Sequence, residues 1–187
     1  AKITLLLNNA GLGAHGGLID ADPDALETMI ALNIVAVMRL ATAVVPGFVA
    51  RQRGTLINVS SVLALAPELF NGSYSGTKAY VLNYTQALHG ELNAHGVRVQ
   101  AVLPGATRTE IWERAGGSVD ALPAEMVMEV DEMVDAALAG LDRGELVTIP
   151  ALPDIGAWDA LNQARLQLAP NLSRSHAADR YKTAVVA

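Results

Sequence analysis

No cysteine occurs in the 187 residues, so the chain has no disulfide framework, no thiolate metal site and no cysteine nucleophile. Charge is scarce too: Asp, Glu, Lys and Arg make up 17% of the residues, against roughly 25% in an average globular domain. What charge there is leans acidic, 19 Asp+Glu against 13 Lys+Arg for a net −6, with no basic runs. That balance excludes a disordered tail and argues against a nucleic-acid partner. The most apolar stretch, Ile34 to Ala50, is interrupted by Arg39 and Pro46 and falls short of the ~20 residues a membrane span needs, so no membrane helix is expected. The start of the sequence does not have the basic, apolar, small-residue pattern of a secretory leader. The four histidines, His15, His89, His95 and His176, have no acidic partners at metal-ligand spacing and no nucleophile elbow beside them. They read as solvated surface residues, and neither a metal site nor a Ser-His-Asp hydrolase is expected. Lack of cysteine fits a reducing, cytoplasmic setting.

What is present is apolar: 51% hydrophobic residues and a mean hydropathy of +0.30. A chain this apolar is accommodated when strands are buried on both faces, as in a parallel sheet flanked by helices. Ile3 to Leu7 is a short apolar run closed by Asn and Gly, which reads as a buried strand, followed by a glycine-rich loop from Gly11 to Gly17. Asp22-Pro23 opens a long helix to about Gln52, perturbed near Pro46. Thr55 to Val59 is a second strand, Ser73 to Ala94 a helix stopped by His95-Gly96, and Val97 to Leu103 a third strand. Asp131 to Leu141 reads as a helix, Leu146 to Ile149 as a fourth strand and Ile155 to Leu168 as a last helix. No linker or repeat interrupts this order, so a single domain over 1–187 is expected, its end, 170–187, a polar tail of low order. Alternating strands and helices predict an α/β fold with a doubly wound parallel sheet.

Two glycine patterns are decoys. Gly11-x-Gly13-x-x-Gly16 follows a strand, but the helix starts six residues later and the next strand ends in Asn58-Val59-Ser60-Ser61, with no acid to hold a ribose. Gly72-Ser73-Tyr74-Ser75-Gly76 has tyrosine where a nucleophile elbow has serine.

The pair Tyr74 and Lys78 carries chemistry. Four residues apart near a helix start, they lie on one face. Free tyrosine, with a pKa near ~10, is a poor base at neutral pH. An ammonium within ~4–6 Å favours the phenolate, so the spacing predicts a lowered Tyr74 pKa. Lys78 is one of only three lysines, the others being Lys2 and Lys182. Ser61 stands 13 residues before Tyr74 at the carboxyl end of a strand, where open α/β sheets bind ligands. Asn33 stands 28 residues before Ser61, in an apolar helix where an amide is disfavoured. As plain structural residues, Asn33 is a satisfied core amide and Ser61 a strand-end turn residue.

In order and spacing these residues resemble the classical short-chain dehydrogenases/reductases. Asn8-Asn9-Ala10-Gly11 resembles the family's Asn-Asn-Ala-Gly, Asn33, Ser61, Tyr74 and Lys78 its catalytic tetrad, and Pro104-Gly105 with Thr109 its Pro-Gly-x-x-x-Thr segment. The resemblance covers the chain to about Ile149. It implies a three-layer Rossmann-type fold and hydride transfer between NAD or NADP and a carbonyl or alcohol. Tyr74 would exchange the proton, Lys78 would tune it and hold the nicotinamide ribose, Ser61 would orient the substrate oxygen, and Asn33 would hold a relay water. Asn8, Asn9, Ala10 and Gly11 would line the adenosine side, with Pro104, Gly105, Thr107 and Thr109 near the carboxamide. Leu63, Leu65, Phe70, Ile111 and Trp112 would make the substrate pocket apolar, and Met126, Met128 and Met133 form a flap or core.

The family's first βαβαβ half, which takes roughly 60–80 residues, is incomplete or absent here. With it goes the strand that selects NAD or NADP, so the chain reads as part of a longer enzyme. A non-catalytic remnant of the fold, or an isomerase or dehydratase using the same Tyr/Lys pair, are the competing readings. The first long helix is apolar nearly all round at Ile34–Met38, which predicts a homodimer or homotetramer built on helices 23–52 and 73–94.

Overall fold

Four strands lie side by side in chain order in the computed structural model, which describes residues 2–14 and 16–182. They are β1 (Leu5–Asn8), β2 (Gly54–Val59), β3 (Val97–Val102) and β4 (Val147–Thr148), each parallel to its neighbour. Parallel neighbours need crossovers, and here they are helical. α1 (Pro23–Ile30), a π-helical turn (Ala31–Ala36) and α2 (Val37–Ala50) join β1 to β2. α3 (Gly72–Leu92) joins β2 to β3, and α4 (Ile111–Arg114) with α5 (Val130–Asp142) joins β3 to β4.

Successive strand residues point to opposite faces of the sheet. On one face Leu56, Val97 and Val99 pack with Ala41 and Phe48 of α2 and Leu88 and Leu92 of α3. On the other, Gln100 donates from Nε2 to the Ala137 carbonyl of α5 at 2.9 Å. The sheet is thus the middle of three layers, the doubly wound α/β arrangement expected from the alternation of elements. β2 and β3 are buried along nearly their whole length, which is where the high hydropathy resides. Gly54 opens β2 directly beneath Phe48, and a Cβ there would run into the phenyl ring. β1 differs. It forms the sheet's edge among the described residues, with Ile3, Leu5 and Leu7 exposed by 55%, 48% and 51%.

Asp22 caps α1 by accepting the Asp24 N–H at 3.0 Å, with Pro23 in the first turn. The helical path then runs unbroken over Pro23–Ala50, and two expectations are corrected here. Pro46 lies inside α2 without ending it; the perturbation is the π turn, one heptad or more upstream, with Asn33 in it. Its 28 residues, with a mean hydropathy of 1.9 in the most apolar 18-residue window, are also long and apolar enough to cross a membrane by length and composition alone. Counting from Ile34 missed the apolar turns at Leu26–Leu32. In this fold Met29, Val37, Ala41 and Phe48 face inward and are buried. α3 ends in a 3₁₀ turn (Asn93–His95) and Gly96, whose φ of +68° is the left-handed conformation glycine adopts without penalty.

The residues divide into two compact units, Ala1–Ala151 and Leu152–Ala187. The second holds α6 (Ile155–Gln167), capped by Asp154 accepting the Gly156 N–H at 2.9 Å. Short 3₁₀ turns follow at Ala169–Asn171 and Asp179–Tyr181, with Leu166, Leu168 and Leu172 exposed. Residues 183–187 of the expected low-order tail lie outside the described residues, as does His15.

Candidate active site

A cleft of about 730 Å³ opens beyond the carboxyl ends of β1, β2 and β3, where the strand-to-helix loops leave the sheet. One wall is the start of the glycine-rich loop: Asn9, Ala10, Gly11 and Gly13. The floor is Val59 to Leu63, and Pro104 to Thr107 with Thr109 form the far wall. Tyr74 and Lys78 enter from the first turns of α3.

Ser61 is positioned by backbone bonds on either side. Ser60 N–H donates to Val102 O at 2.8 Å, prolonging the β2–β3 ladder, and Val62 N–H donates to Pro104 O at 3.0 Å. The Ser61 hydroxyl oxygen accepts the Leu63 N–H at 3.1 Å, leaving its own proton free to donate into the cleft. α3 is fixed over β2 by Ser60, whose hydroxyl donates to the Lys78 carbonyl at 2.7 Å. Phe70 braces Tyr74 edge-on, the ring centroids 6.0 Å apart.

The electrostatics differ from the spacing argument. Burial pushes the Tyr74 phenol above its usual value, and the nearby Ser61 hydroxyl pulls it only partway back. Lys78 Nζ lies 5.7 Å from the Tyr74 ring centroid but donates to the Val59 carbonyl at 3.1 Å. Burial lowers the Lys78 ammonium to about 8. The expected downward shift of Tyr74 is therefore corrected: desolvation is the larger influence, and the ammonium has a backbone carbonyl as its acceptor.

Asn33 does not line the cleft. Its Oδ1 accepts the Leu12 N–H at 2.9 Å, while Nδ2 donates to Leu12 O at 2.9 Å and to Thr77 Oγ1 at 3.0 Å. The whole amide is engaged in holding the glycine-rich loop, beside Lys78. A Cβ at Gly11 would sit 3.3 Å from Asn33 Oδ1 and 3.4 Å from Lys78 Nζ, so only glycine leaves that corner open. Asn8 is also behind the wall. It pairs in register with Asn58 and donates its Nδ2–H to Asn58 Oδ1 at 2.8 Å, a buried amide pair that holds β1 on β2.

Leu63, Phe70, Ile111, Trp112, Met126 and Met133 face the cleft; Leu65 does not and is exposed, and Met128 instead bridges Thr107. Trp112 is held by its indole N–H, which donates to Thr107 O at 2.8 Å. Outside the cleft, His89 departs from the expected solvated histidine: its Nδ1 is buried without a hydrogen-bond partner. Asn71 and Thr77 were overlooked from sequence. Asn71 caps α3 and reaches the loop, and Thr77 links Asn33 to the Tyr74 carbonyl. The only signal for Asn71 was an Asn immediately before Gly72, the usual type of residue ahead of a helix.

The family model described as short chain dehydrogenase matches residues 1–118. The chain belongs to the short chain dehydrogenase family. Among solved structures, a short-chain dehydrogenase from Sphingobium yanoikuyae in complex with NADPH superposes with a TM-score of 0.93 at 50% identity, covering 97% of this chain and 70% of that one. A bulky-bulky ketone specific alcohol dehydrogenase from Comamonas testosteroni gives a TM-score of 0.86 at 42% identity, covering 97% and 68%. Serine 3-dehydrogenase of Agrobacterium fabrum is 36% identical over 123 residues, which are 64% of this chain and 48% of the relative. This chain spans about half the length of the first such relatives it matches.

Proposed function

We propose that the protein carrying this chain is an NAD(P)-dependent oxidoreductase that interconverts a carbonyl and an alcohol in the cleft of Ser61, Tyr74 and Lys78. The observation that carries this reading is the meeting of two hydroxyls, from Ser61 and Tyr74, beside a buried lysine at the carboxyl edge of a parallel sheet. The cleft fits the nicotinamide end of such a cofactor. At Gly105 a Cβ would meet no atom within 4 Å, and Gly11, with no side chain, lines the facing wall, leaving room for a planar ring between the two. The nicotinamide supplies or accepts the hydride when bound.

The chain's own residues do the rest. In reduction Ser61 donates a hydrogen bond to the substrate oxygen, and Tyr74, a neutral phenol at physiological pH that burial holds further from ionisation, gives that oxygen its proton. In oxidation the Tyr74 phenolate takes the proton from the alcohol oxygen and becomes the phenol again. Lys78 keeps two N–H donors beyond its bond to Val59, suited to ribose hydroxyls, and its charge favours the phenolate once Tyr74 has released its proton. Of the residues lining the cleft, Asn9, Ala10 and Gly11 would hold the adenosine side of the cofactor, and Thr107 and Thr109 its carboxamide. Asn33 and Asn8 serve by holding the loop and β1. Leu63, Phe70, Ile111, Trp112 and Met133 favour a bulky apolar carbonyl compound, in keeping with the ketone specificity that names the Comamonas neighbour.

The full protein, given NADH or NADPH with a series of ketones of increasing size, is expected to oxidise one cofactor, fastest with the larger apolar ketones. No turnover of either cofactor with ketones or the matching alcohols would count decisively against the reading.

The same reading includes a homodimer or homotetramer. Val35, Met38 and Leu40 stay exposed on the helical path from α1 to α2, apolar side chains of the kind subunit contacts cover. Light scattering on the full protein at micromolar concentration is expected to give at least twice the chain mass; a monomer rules the assembly out.

A further inference from the structure

Tyr74 sits in the first turn of α3, where a backbone N–H has no carbonyl one turn earlier to donate to. The local sequence does little to hold that turn. Gly72-Ser73-Tyr74-Ser75-Gly76 has glycine at both ends and serine between, none of them strong helix formers. Two side chains take over. Asn71, buried, accepts the Tyr74 N–H on Oδ1 at 2.9 Å, and Thr77 donates its hydroxyl to Tyr74 O at 2.8 Å.

Both side chains are tied to the glycine-rich loop. Asn71 Nδ2 donates to Gly16 O at 2.7 Å, where Gly16 holds a φ of +80°. Thr77 Oγ1 accepts from Asn33 Nδ2 at 3.0 Å, and Asn33 in turn holds both backbone polar groups of Leu12. The bonds form one continuous chain: Leu12, Asn33, Thr77, Tyr74, Asn71, Gly16. The loop that walls one side of the cleft and the backbone that carries the phenol are thereby held by the same set of side chains.

We propose that Asn71 is a positioning residue that acts through two atoms, Oδ1 setting the helix turn that presents the Tyr74 hydroxyl and Nδ2 setting the glycine-rich loop. The proposal rests on the reading of Tyr74 as the proton-exchanging group. Without Oδ1 the first turn frays, and the phenol loses its fixed distance from the Ser61 hydroxyl that favours its ionised form. Without Nδ2 the Gly16 end of the loop is released, which loosens the wall at Asn9–Gly13 but leaves the helix turn in place. The charged groups sharing the cleft with Tyr74 are Lys78 and the Glu110–Arg114 pair, whose own bond is 2.6 Å.

Aspartate separates the two functions, since it keeps an acceptor for the Tyr74 N–H and has no donor for Gly16 O. The full protein carrying Asn71→Ala, Asn71→Asp or Tyr74→Phe is compared by kcat, cofactor KM and the pH profile of alcohol oxidation. Asn71→Ala is expected to lower kcat by roughly tenfold or more, as a slightly misplaced catalytic group does, and to move the Tyr74 limb of the profile to higher pH. Asn71→Asp is expected to recover most of kcat and the position of the limb while raising the cofactor KM several-fold. An unmoved limb in Asn71→Ala, or an Asn71→Asp protein no better than Asn71→Ala, overturns the proposal. Should Asn71→Ala not fold, Asn71→Asp decides alone: a raised KM with most of kcat retained supports the split, and a wild-type KM overturns it. Near-normal turnover by Tyr74→Phe overturns the underlying reading instead, whereas loss of turnover there with an unmoved limb in Asn71→Ala overturns only the role of Asn71.

Discussion

Tyr74→Phe in the full protein is expected to lower kcat by roughly 10²–10⁴-fold, the usual weight of a positioned acid–base group, with little change in fold. The substitution removes one oxygen and keeps the ring, so the edge-on contact with Phe70 and the cap from Asn71 both remain. What disappears is the phenolic proton that shares the cleft with the Ser61 hydroxyl. The pH dependence gives a second check. The phenol is protonated throughout the neutral range and ready to donate, and burial, which raises it above its usual value, extends that range further into alkali. Carbonyl reduction is then expected to hold steady through neutral pH and fall in strong alkali. Alcohol oxidation, which needs the phenolate, is expected to rise as pH climbs. The Tyr74 limb of each profile should vanish from the residual activity of Tyr74→Phe, leaving only the Lys78 limb. Turnover within a few-fold of wild type, or an oxidation profile that stays the same, would sink the assignment of Tyr74 as the proton-exchanging group.

The sequence made the frame legible because the frame rests on local patterns. Apolar runs closed by Asn, Ser or Pro-Gly marked the strands, and the Asp22-Pro23 and His95-Gly96 pairs marked the helix ends, to within a few residues. The convergence of Ser61, Tyr74 and Lys78 on one cleft was legible in the same way, from a strand end and a four-residue helical spacing. What was not legible depends on where side chains go once helices are laid on the sheet. Asn8 and Asn9 are adjacent in the motif, yet the pleat sends Asn8 to Asn58 and leaves Asn9 on the cleft. Asn33 sits in a π turn that no residue pattern announced; Pro46, the obvious breaker, lies in an unbroken α2. The direction of the Tyr74 shift was misjudged for the same reason. Spacing fixes that Lys78 is near, but burial and the position of the Val59 carbonyl decide what its charge does.

Lys78 itself supports the other large expectation, which sets stability against function. The residue is 5% exposed and its ammonium has one protein acceptor, so folding buries a charge with incomplete compensation. Burial lowers its pKa from 10.5 to about 8, and the sign follows from proton counts. Below pH 8 both folded and unfolded chains carry the proton, and the full penalty of the buried charge applies. Between about 8 and 10.5 the folded protein has released the proton while the unfolded chain still holds it. Stability therefore rises with pH across that window, on the order of 3 kcal/mol at about 1.4 kcal/mol per pKa unit. Lys78→Met replaces the side chain with an uncharged one of similar length, at the cost of about 1 kcal/mol for the Val59 carbonyl left without that donor. Denaturant titrations of the cofactor-free full protein are expected to show Lys78→Met more stable than wild type by roughly 2 kcal/mol at pH 7. The gap should close as the pH passes from 8 toward 10.5, as the wild-type protein sheds its buried charge. Turnover should fall steeply in the same variant, since the ribose donors and the charge that favours the phenolate are both gone. A variant less stable than wild type at pH 7, or a gap that does not narrow with rising pH, would mean that the ammonium is better compensated than its single bond to Val59 implies. A residue that stabilises the fold when removed and abolishes turnover in the same step is held in place by function, and the destabilisation it causes is concentrated at the site where its charge is used.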